Sequence, residues 1–288
     1  FQAEDGIRDK QICLVGSEMC IRDRDCEAEL DKIARHAPGA RVYIRLIVEN
    51  SLADWPLSRK FGCAASLLPA LLDHAAAVGL RPHGLSFHVG SQTKNAAYWN
   101  PVLDQVAPLW HAARAAGHDL KLLNIGGGFP AFYGQVVQAP RAYAATVMAA
   151  VAERFGDVAE IMAEPGRGMV AEAGHIVAEV MLVSKKSADD LHRWVYLDIG
   201  RFSGLAETED EAIRYQFTTA HDGGETGPCV LAGPSCDSAD ILYEKRPVQL
   251  PLALRDGDRI VIRNCGAYTS SYASVGFNGF PPLDVIVL

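Results

Sequence analysis

The sequence predicts an α/β protein in two parts, a partial (β/α)8 barrel followed by a mainly antiparallel β domain. Two observations predict this fold. Apolar strand-like runs alternate with helix-like runs between residue 25 and about residue 174, and such alternation is typical of parallel strands. After Gly174 the apolar runs become short and β-like and are separated by Gly, Pro and Asp, as in antiparallel β domains.

The first part, residues 25–174, reads as a series of βα units. An amphipathic run that ends at His36 precedes strands predicted at 42–48, 84–89, 120–125 and 160–163 and helices predicted at 64–78, 101–116 and 140–155. A glycine follows each of these three helices, as is common at helix ends. Four strands are about half of the eight in a closed barrel. An open doubly wound sheet is the alternative arrangement for the same pattern.

The second part, residues 175–288, contains strands predicted at 175–183, 194–197, 228–231, 258–263 and 285–288. Residues 1–24 have neither a helical nor a strand period and resemble a translated sequencing adapter. We therefore expect them to be a non-native tail that takes no part in the fold.

Composition narrows the class of protein. The 288 residues are 49% hydrophobic and 22% charged, which is typical of a globular chain with one large or two ordinary domains. A net charge of -8 argues against nucleic acid as a partner. No run approaches a membrane span and no secretion signal is evident, so we expect a cytoplasmic protein. The seven cysteines have no CxxC spacing, which suggests neither a disulfide framework nor a zinc site.

Polar, glycine-rich segments follow three of the predicted strands. They are HVGS at 88–91, GGG at 126–128 and EPGR at 164–167. The catalytic groups of βα barrels lie at the carboxyl ends of the strands, so these three segments should meet at one rim.

The residue types suggest a site for an aromatic cofactor that carries a phosphate. A glycine run exposes backbone N–H groups to an anion, although a tight turn that needs positive φ is the alternative explanation. Arg167 and Ser91 would add a cation and a hydroxyl donor. His88 could stack on the cofactor ring, and Glu164 could hold a ring nitrogen protonated. Alternatively, His88 is structural and Glu164 forms a surface bridge with Arg167.

Five motifs in order resemble one family of enzymes. FHVGSQ (87–92), NIGGGFP (124–130), AEPGRG (163–168), GPSCDS (233–238) and GAYTSSYASVGFNGF (266–280) look like the ornithine/lysine/arginine decarboxylases. These enzymes depend on pyridoxal 5'-phosphate, and they have a barrel of the alanine racemase type and a β domain. The resemblance extends from about residue 40 to the C-terminus and implies decarboxylation of a basic amino acid to a diamine in polyamine biosynthesis.

The resemblance also implies roles for individual residues. His88 would stack on the cofactor ring, and Glu164 would pair with the pyridine nitrogen. The residues assigned to the cofactor phosphate and its surroundings are Ser91, Gly126, Gly127, Gly128, Gly166, Arg167 and Tyr268.

A second group of residues would serve the substrate across a head-to-tail homodimer interface. The resemblance implies that Cys236 protonates the product carbanion and that Asp237 binds the distal amine of the substrate. From the sequence alone, this pair lies in an exposed turn, where a free thiol is more often a bystander. The acidic run at Glu207, Glu209, Asp210 and Glu211 reads as a solvated helix start, although Glu211 could help bind the distal ammonium.

One family feature is absent from the sequence. Relatives carry a Schiff-base lysine at a strand end well before HVGS, and Lys10, Lys32 and Lys60 do not have that setting. We therefore expect an N-terminally truncated fragment that is inactive by itself.

Two other functions stay open. A diaminopimelate decarboxylase shares several of the motifs, but Asp237 would repel the distal carboxylate of its substrate. A non-catalytic homologue that binds a regulatory partner would be expected to lose cofactor groups, and these are retained here. The motifs do not distinguish among ornithine, lysine and arginine as substrates.

Overall fold

A computed structural model describes residues 23–49 and 60–288 of the chain. The chain divides into two compact units. Among the described residues, the first unit comprises those up to Pro130 and Gln138–Pro165, and the second comprises Ala131–Val137 and Gly166–Leu288.

The first unit is built on a parallel sheet. Its strands lie side by side in chain order, and every neighbouring pair is parallel. They are β1 (Asp23–Arg24), β2 (Arg41–Arg45), β3 (Arg81–Ser86), β4 (Leu122–Asn124) and β5 (Glu160–Met162). Parallel strands paired in chain order with helices between them are the pattern of a βα barrel, which confirms the predicted α/β class.

Four helices connect these strands, and they lie close to the predicted positions. They are α1 (Glu27–His36), α2 (Leu68–Ala77), α3 (Asn100–Ala115) and α4 (Pro140–Phe155). A proline lies in the first turn of each of the last three helices, where its missing N–H costs no hydrogen bond. The helices bury Leu30, Leu72, Trp110 and Phe155 in one core with the apolar residues of the sheet, which is what holds the strand ends in place.

The second unit contains a short helix, α5 (Arg167–Val170), and a seven-stranded sheet. The strands are β6 (Ile176–Ser184), β7 (Arg193–Leu197), β8 (Gln216–Thr219), β9 (Thr226–Ala232), β10 (Ile241–Leu242), β11 (Val248–Pro251) and β12 (Arg259–Arg263). All of their recorded pairings are antiparallel except that of β7 with β9. This agrees with the expected mainly antiparallel domain.

The remaining regular elements in the described residues are short 3-10 segments, of which Ala206–Glu211 is interrupted by a kink at Glu209 and Asp210. They lie at Ala65–Leu67, Ala96–Trp99, Ala171–Ala173, Ala206–Glu211, Ser270–Tyr272 and Phe277–Gly279. No helix in residues 23–49 and 60–288 is both long enough and apolar enough to span a bilayer.

The structure differs from the sequence prediction at several places. The strand predicted at 285–288 is wrong, because these residues have no regular structure and their side chains are exposed. Strands β8, β10 and β11 were not predicted. The predicted tail lies outside the described residues up to position 22, but its last two residues form β1 and pair with β2.

The second compact unit includes residues 166–174, and the domain boundary predicted near residue 174 stays a prediction. Ala171 is buried in the core of the second unit, and its carbonyl accepts a hydrogen bond from the N–H of Gly266. Ala131 and Tyr133 lie in the same core. Packing in three dimensions therefore assigns these segments to the second unit, although in sequence they continue the βα pattern.

Candidate active site

His88 lies just after β3 in the first unit and is largely buried. Its Nδ1 accepts a hydrogen bond of 2.9 Å from the N–H of Gly90. Burial and, to a smaller extent, the charge of Arg45 lower the pKa of His88 from 6.5 to about 4. The imidazole is therefore neutral at neutral pH, and because Nδ1 is an acceptor, Nε2 carries the proton.

Gly127 brings three strand ends together. A Cβ at this position would lie 2.8 Å from Nε2 of His88 and 2.8 Å from the carbonyl oxygen of Glu164. These two residues follow β3 and β5, and Gly127 follows β4. The absence of a side chain at residue 127 is thus what allows the histidine and the chain at Glu164 to approach the glycine run.

The other two glycines of the run make close backbone contacts. Gly126 and Gly128 have φ of +69° and +103°, a region that glycine adopts without strain. A Cβ at Gly126 would lie 2.0 Å from the carbonyl oxygen of Phe87, and one at Gly128 would lie 2.3 Å from that of Gly90. Gly126 and Gly128 are therefore needed for a tight turn with positive φ, as the alternative explanation held. This requirement does not exclude anion binding by the same glycine run.

Two backbone donors of the glycine run remain available. Within residues 23–49 and 60–288, the N–H groups of Gly127 and Gly128 donate no hydrogen bond, whereas that of Gly126 donates to Asn124. Ser91 lies in the neighbouring loop and is partly exposed. Adjacent backbone N–H groups with no partner can bind an oxyanion.

Asn124 is a buried residue at this site that our sequence reasoning overlooked. Its Nδ2 donates to Oε1 of Glu164 at 2.6 Å, and its Oδ1 accepts from the N–H of Gly126 at 2.9 Å. The signal was available in the sequence, because a short polar side chain ends an otherwise apolar strand directly before the glycine run.

Arg167 belongs to the second unit and is held there by a buried ion pair. Its Nη1 and Nη2 donate to the two carboxylate oxygens of Glu207 at 2.7 and 2.5 Å, and Nη1 also donates to the hydroxyl of Tyr133. Both charged side chains are about 95% buried. Burial by itself lowers the pKa of Arg167, but the hydrogen bonds and charge of Glu207 outweigh burial and raise it.

One edge of this guanidinium is still available. Three of its five N–H bonds point to Glu207 and Tyr133, whereas Nε–H and the second Nη2–H donate to no group in the described part of the chain. These two bonds lie on the same edge and could hold an anion in a bidentate manner. The ring of Tyr268 lies 4.8 Å from Cζ of Arg167.

The acidic run after β7 is not a solvated helix start, and that prediction is wrong. Glu207 and Glu211 are buried, whereas Glu209 and Asp210 are exposed and have non-helical backbone angles. Because Glu207 pairs with a residue 40 positions away, its role depends on tertiary structure.

The carboxylate of Glu211 also forms ion pairs, with two arginines of the second unit. Its Oε2 accepts hydrogen bonds from Arg214 and Arg246 at 2.7 and 2.8 Å. Burial alone would raise the pKa of Glu211, but hydrogen bonds from Arg246 and the charge of Arg214 lower it. The predicted role of Glu211 in binding an ammonium group stays a prediction, and this pairing with two arginines argues against it.

Cys236 and Asp237 lie in the loop between β9 and β10, and both are exposed. The thiol of Cys236 donates to Oδ1 of Asn278 at 2.7 Å. The loop is held by Asp240, which is buried and accepts from the N–H and hydroxyl of Ser235 and from the N–H of Arg201. The sequence reasoning did not identify Asp240 or Asn278.

Comparison with known proteins identifies the class of enzyme. Residues 10–171 match the family described as pyridoxal-dependent decarboxylase, pyridoxal binding domain. The chain therefore belongs to the pyridoxal-dependent decarboxylases, which confirms the resemblance seen in the motifs. The match begins inside the segment that we expected to be a non-native tail.

Individual relatives give a narrower likeness. The chain is 32% identical to a lysine/ornithine decarboxylase of Selenomonas ruminantium over 89% of its own length and 63% of the relative's. It is 30% identical to antizyme inhibitor 2 of Xenopus laevis, over 89% of its own length and 58% of that protein's. The chain thus spans less than two thirds of the length of these relatives.

Solved structures show the same likeness. A lysine/ornithine decarboxylase from Vibrio vulnificus complexed with cadaverine is 33% identical, with a TM-score of 0.78, over 92% of this chain and 69% of that one. A mutant of SrLDC in complex with PLP is 32% identical, with a TM-score of 0.79, over 90% of this chain and 66% of that one.

Proposed function

We propose that this chain is the larger part of a pyridoxal-phosphate-dependent enzyme that decarboxylates ornithine or lysine to a diamine, in polyamine biosynthesis and in the cytoplasm. The observation that carries the proposal is the meeting of His88, Gly127 and Glu164 at the ends of three consecutive parallel strands, in a chain of the pyridoxal-dependent decarboxylase family.

The donors of the chain suit the proposed cofactor. In the first unit, the N–H groups of Gly127 and Gly128, which have no partner among the described residues, are suited to a phosphate. In the second unit, the available edge of Arg167 is by itself suited to an anion, and only the family resemblance assigns it to the same phosphate. Ser91, Gly166 and Tyr268 are the further family positions proposed to lie near it. When bound, the protonated pyridine ring of the cofactor accepts the electrons that are released at the substrate Cα.

The charge states of His88 and Glu164 suit that ring. A neutral imidazole can lie against a protonated pyridine without the repulsion that a second cation would cause, and the lowered pKa keeps His88 neutral. The carboxylate of Glu164 would accept a hydrogen bond from the ring N–H and keep that proton at the ring nitrogen.

The exposed loop between β9 and β10 would serve the substrate. Asp237 would attract the distal ammonium of ornithine or lysine, and Cys236 would deliver a proton to Cα after carbon dioxide leaves. We propose that both residues act in the site of a partner subunit in a homodimer, and their exposure in the single chain supports this.

The alternative functions have less support. A diaminopimelate decarboxylase would place the carboxylate of its substrate near Asp237, and like charges repel. A regulatory role is suggested by the similarity to antizyme inhibitor 2, but the retained phosphate donors and the retained acceptor Glu164 favour a protein that binds the cofactor.

The proposal is tested by release of carbon dioxide from labelled ornithine and lysine. We propose that the 288-residue polypeptide is inactive by itself, because in the sequence Lys10, Lys32 and Lys60 do not have the setting that the family resemblance implies for the Schiff-base lysine. A chain extended at its N-terminus with the corresponding part of a lysine/ornithine decarboxylase should be active and should depend on added pyridoxal phosphate.

Variants of the extended chain separate the proposed roles. Glu164→Ala should lower kcat by about a hundredfold or more, because the charge that supports the ring is lost. Asp237→Ala should raise KM by about ten- to a hundredfold, as expected for loss of a charged hydrogen bond. Glu153→Ala, at an exposed site on α4, is the control and should change neither. An active 288-residue chain would contradict the proposed inactivity, and unchanged activity in Glu164→Ala would contradict the cofactor assignment.

A further inference from the structure

Asn124 uses both polar atoms of its side chain to connect Glu164 to the glycine run. The residue is completely buried at the end of β4. Its Oδ1 faces the N–H of Gly126, so it must accept there, and its Nδ2 therefore faces Oε1 of Glu164 and donates. The orientation of the amide is thus fixed by its two neighbours.

A hydrogen bond from an amide has a definite effect on a carboxylate. It favours the charged form over the protonated form and restrains rotation of the carboxylate plane. Glu164 is partly buried here, and burial enlarges the effect because water competes less for the same lone pairs. The backbone N–H of Glu164 also donates to the carbonyl oxygen of Gly126 at 2.8 Å. Both the side chain and the backbone of Glu164 are therefore hydrogen-bonded to the segment at the end of β4.

We propose that Asn124 is a positioning residue that keeps Glu164 ionised and oriented for the ring nitrogen of the cofactor. This inference rests on the proposed function, since it assumes that Glu164 accepts a hydrogen bond from a pyridine N–H. It adds that the strength of this contact depends on a residue that does not itself contact the cofactor.

A purely structural role would have a different signature. If Asn124 served only to satisfy the N–H of Gly126, its loss would disturb the glycine run and weaken phosphate binding. If it also positions Glu164, its loss would in addition weaken recognition of the ring nitrogen. These effects are separated by two ratios of dissociation constants, one for the preference for the phosphate and one for the preference for the ring nitrogen. Neither measurement requires catalytic turnover.

The experiment measures binding of three compounds to the purified 288-residue chain. They are pyridoxal phosphate, pyridoxal without the phosphate, and an analogue of pyridoxal phosphate whose ring nitrogen is replaced by C–H. The first two give the preference for the phosphate, and the first and third give the preference for the ring nitrogen. We expect Asn124→Ala to reduce the ring-nitrogen preference about tenfold or more, as for a lost charged hydrogen bond. Because the variant also removes the acceptor for the N–H of Gly126, the phosphate preference should fall too, but by a smaller factor.

A conservative variant adds a dependence on pH. Asn124→Asp keeps an acceptor for the N–H of Gly126 but places a second carboxyl group against Glu164, and two adjacent carboxyl groups hold one proton more tightly. At low pH the protonated Asp can donate to Glu164 as Asn124 does, so the ring-nitrogen preference should be retained. As pH rises and that proton is lost, the preference should fall. Asn95→Asp is the matched control, because Asn95 caps a helix turn through Oδ1 alone, and it should show no such dependence.

The outcomes are distinct. If Asn124→Ala lowers the phosphate preference and leaves the ring-nitrogen preference intact, the inference is overturned while the proposed function stands. If Asn124→Asp matches the wild-type chain at every pH, the inference is overturned in the same way, even should Asn124→Ala fail to fold. If the wild-type chain prefers neither the phosphate nor the ring nitrogen, the proposed function itself fails, and the inference fails with it.

Discussion

The two units of the chain hold their candidate site residues by different physical means. In the first unit, the site consists of backbone N–H groups, a neutral imidazole and one carboxylate that Asn124 supports. In the second unit, Arg167 is fixed by a buried ion pair with Glu207. The first arrangement relies on close backbone contact among short loops, and the second relies on the balance of two buried charges.

This difference predicts which perturbations each unit tolerates. Loops held by glycine contacts and neutral hydrogen bonds respond to protonation of His88. A buried ion pair is insensitive to pH near neutrality because Arg167 stays charged, but it is sensitive to loss of either partner. A buried charge whose partner is removed has neither water nor a counter-ion to stabilise it.

The largest expected effect is in the second unit. Glu207→Leu should lower the free energy of unfolding by about 3–5 kcal/mol, because it leaves Arg167 buried and uncompensated. The measurement is urea unfolding of the purified chain. The double replacement Arg167→Met with Glu207→Leu should recover most of the loss, because no isolated charge remains.

The ion pair between Lys245 and Asp210 provides the control for this variant. It lies in the same unit, its atoms are 2.9 Å apart, and both side chains are exposed. Exposed pairs are screened by water and contribute little, so Asp210→Asn should leave the unfolding midpoint unchanged. A Glu207→Leu chain as stable as the wild type would show that the ion pair does not stabilise the second unit.

Sequence reasoning correctly predicted that the three segments after β3, β4 and β5 meet, because their positions depend on short-range pattern. The glycine run, His88 and Glu164 each follow a strand whose apolar pattern is clear, so their meeting follows from parallel topology. It failed for Glu207, because an acidic residue beside three others looks solvated, and only the tertiary fold places it against Arg167, 40 residues away.

The same distinction explains the misses in the fold. Helices α3 and α4 carry long periodic patterns and lie within one residue of their predicted bounds. Strands β8, β10 and β11 have four residues or fewer, which is too short to show a period. The segment 285–288 has the apolar, β-branched composition of a strand but pairs with none of the described strands.

The next effect concerns the first unit and pH. The pKa of His88 is about 4 in the folded chain and 6.5 as its ordinary value, so the unfolded chain binds more protons between these limits. The stability that this group contributes is therefore fully present above about pH 6.5 and is lost as pH falls toward 4. We expect a loss of up to about 3 kcal/mol from this residue over that interval.

Urea unfolding at pH 7, 5.5 and 4 checks this expectation. His88→Gln removes the titrating group and keeps a polar side chain, so its free energy of unfolding should fall less steeply over the same interval. Equal slopes for the two proteins would show that the imidazole titrates alike in the folded and unfolded states, and the neutral histidine in the proposed site would then lack support.

The smallest expected effect on stability concerns the three cysteines of the second unit. These cysteines should differ sharply in their rates of alkylation. Cys236 is exposed, whereas Cys229 and Cys265 are buried. Burial raises the pKa of both buried thiols, and that of Cys265 rises to about 12. Because the thiolate is the reactive form, iodoacetamide at pH 7.5 should modify Cys236 in the folded chain and should reach the other two only after unfolding.

Peptide mass spectrometry after timed alkylation gives the rate at each cysteine. Modification of Cys236 should leave the unfolding midpoint unchanged, because its side chain lies on the surface.

The same experiment tests the proposed homodimer. If Cys236 enters the site of a partner subunit, its alkylation should slow as the protein concentration rises, while the rates at exposed Cys26 stay constant. The chain could sediment as a dimer while the alkylation rate of Cys236 stays independent of protein concentration. In that case the chain would form a dimer without burying Cys236 in the partner subunit. The proposed role of the thiol in the partner's active site would then be contradicted.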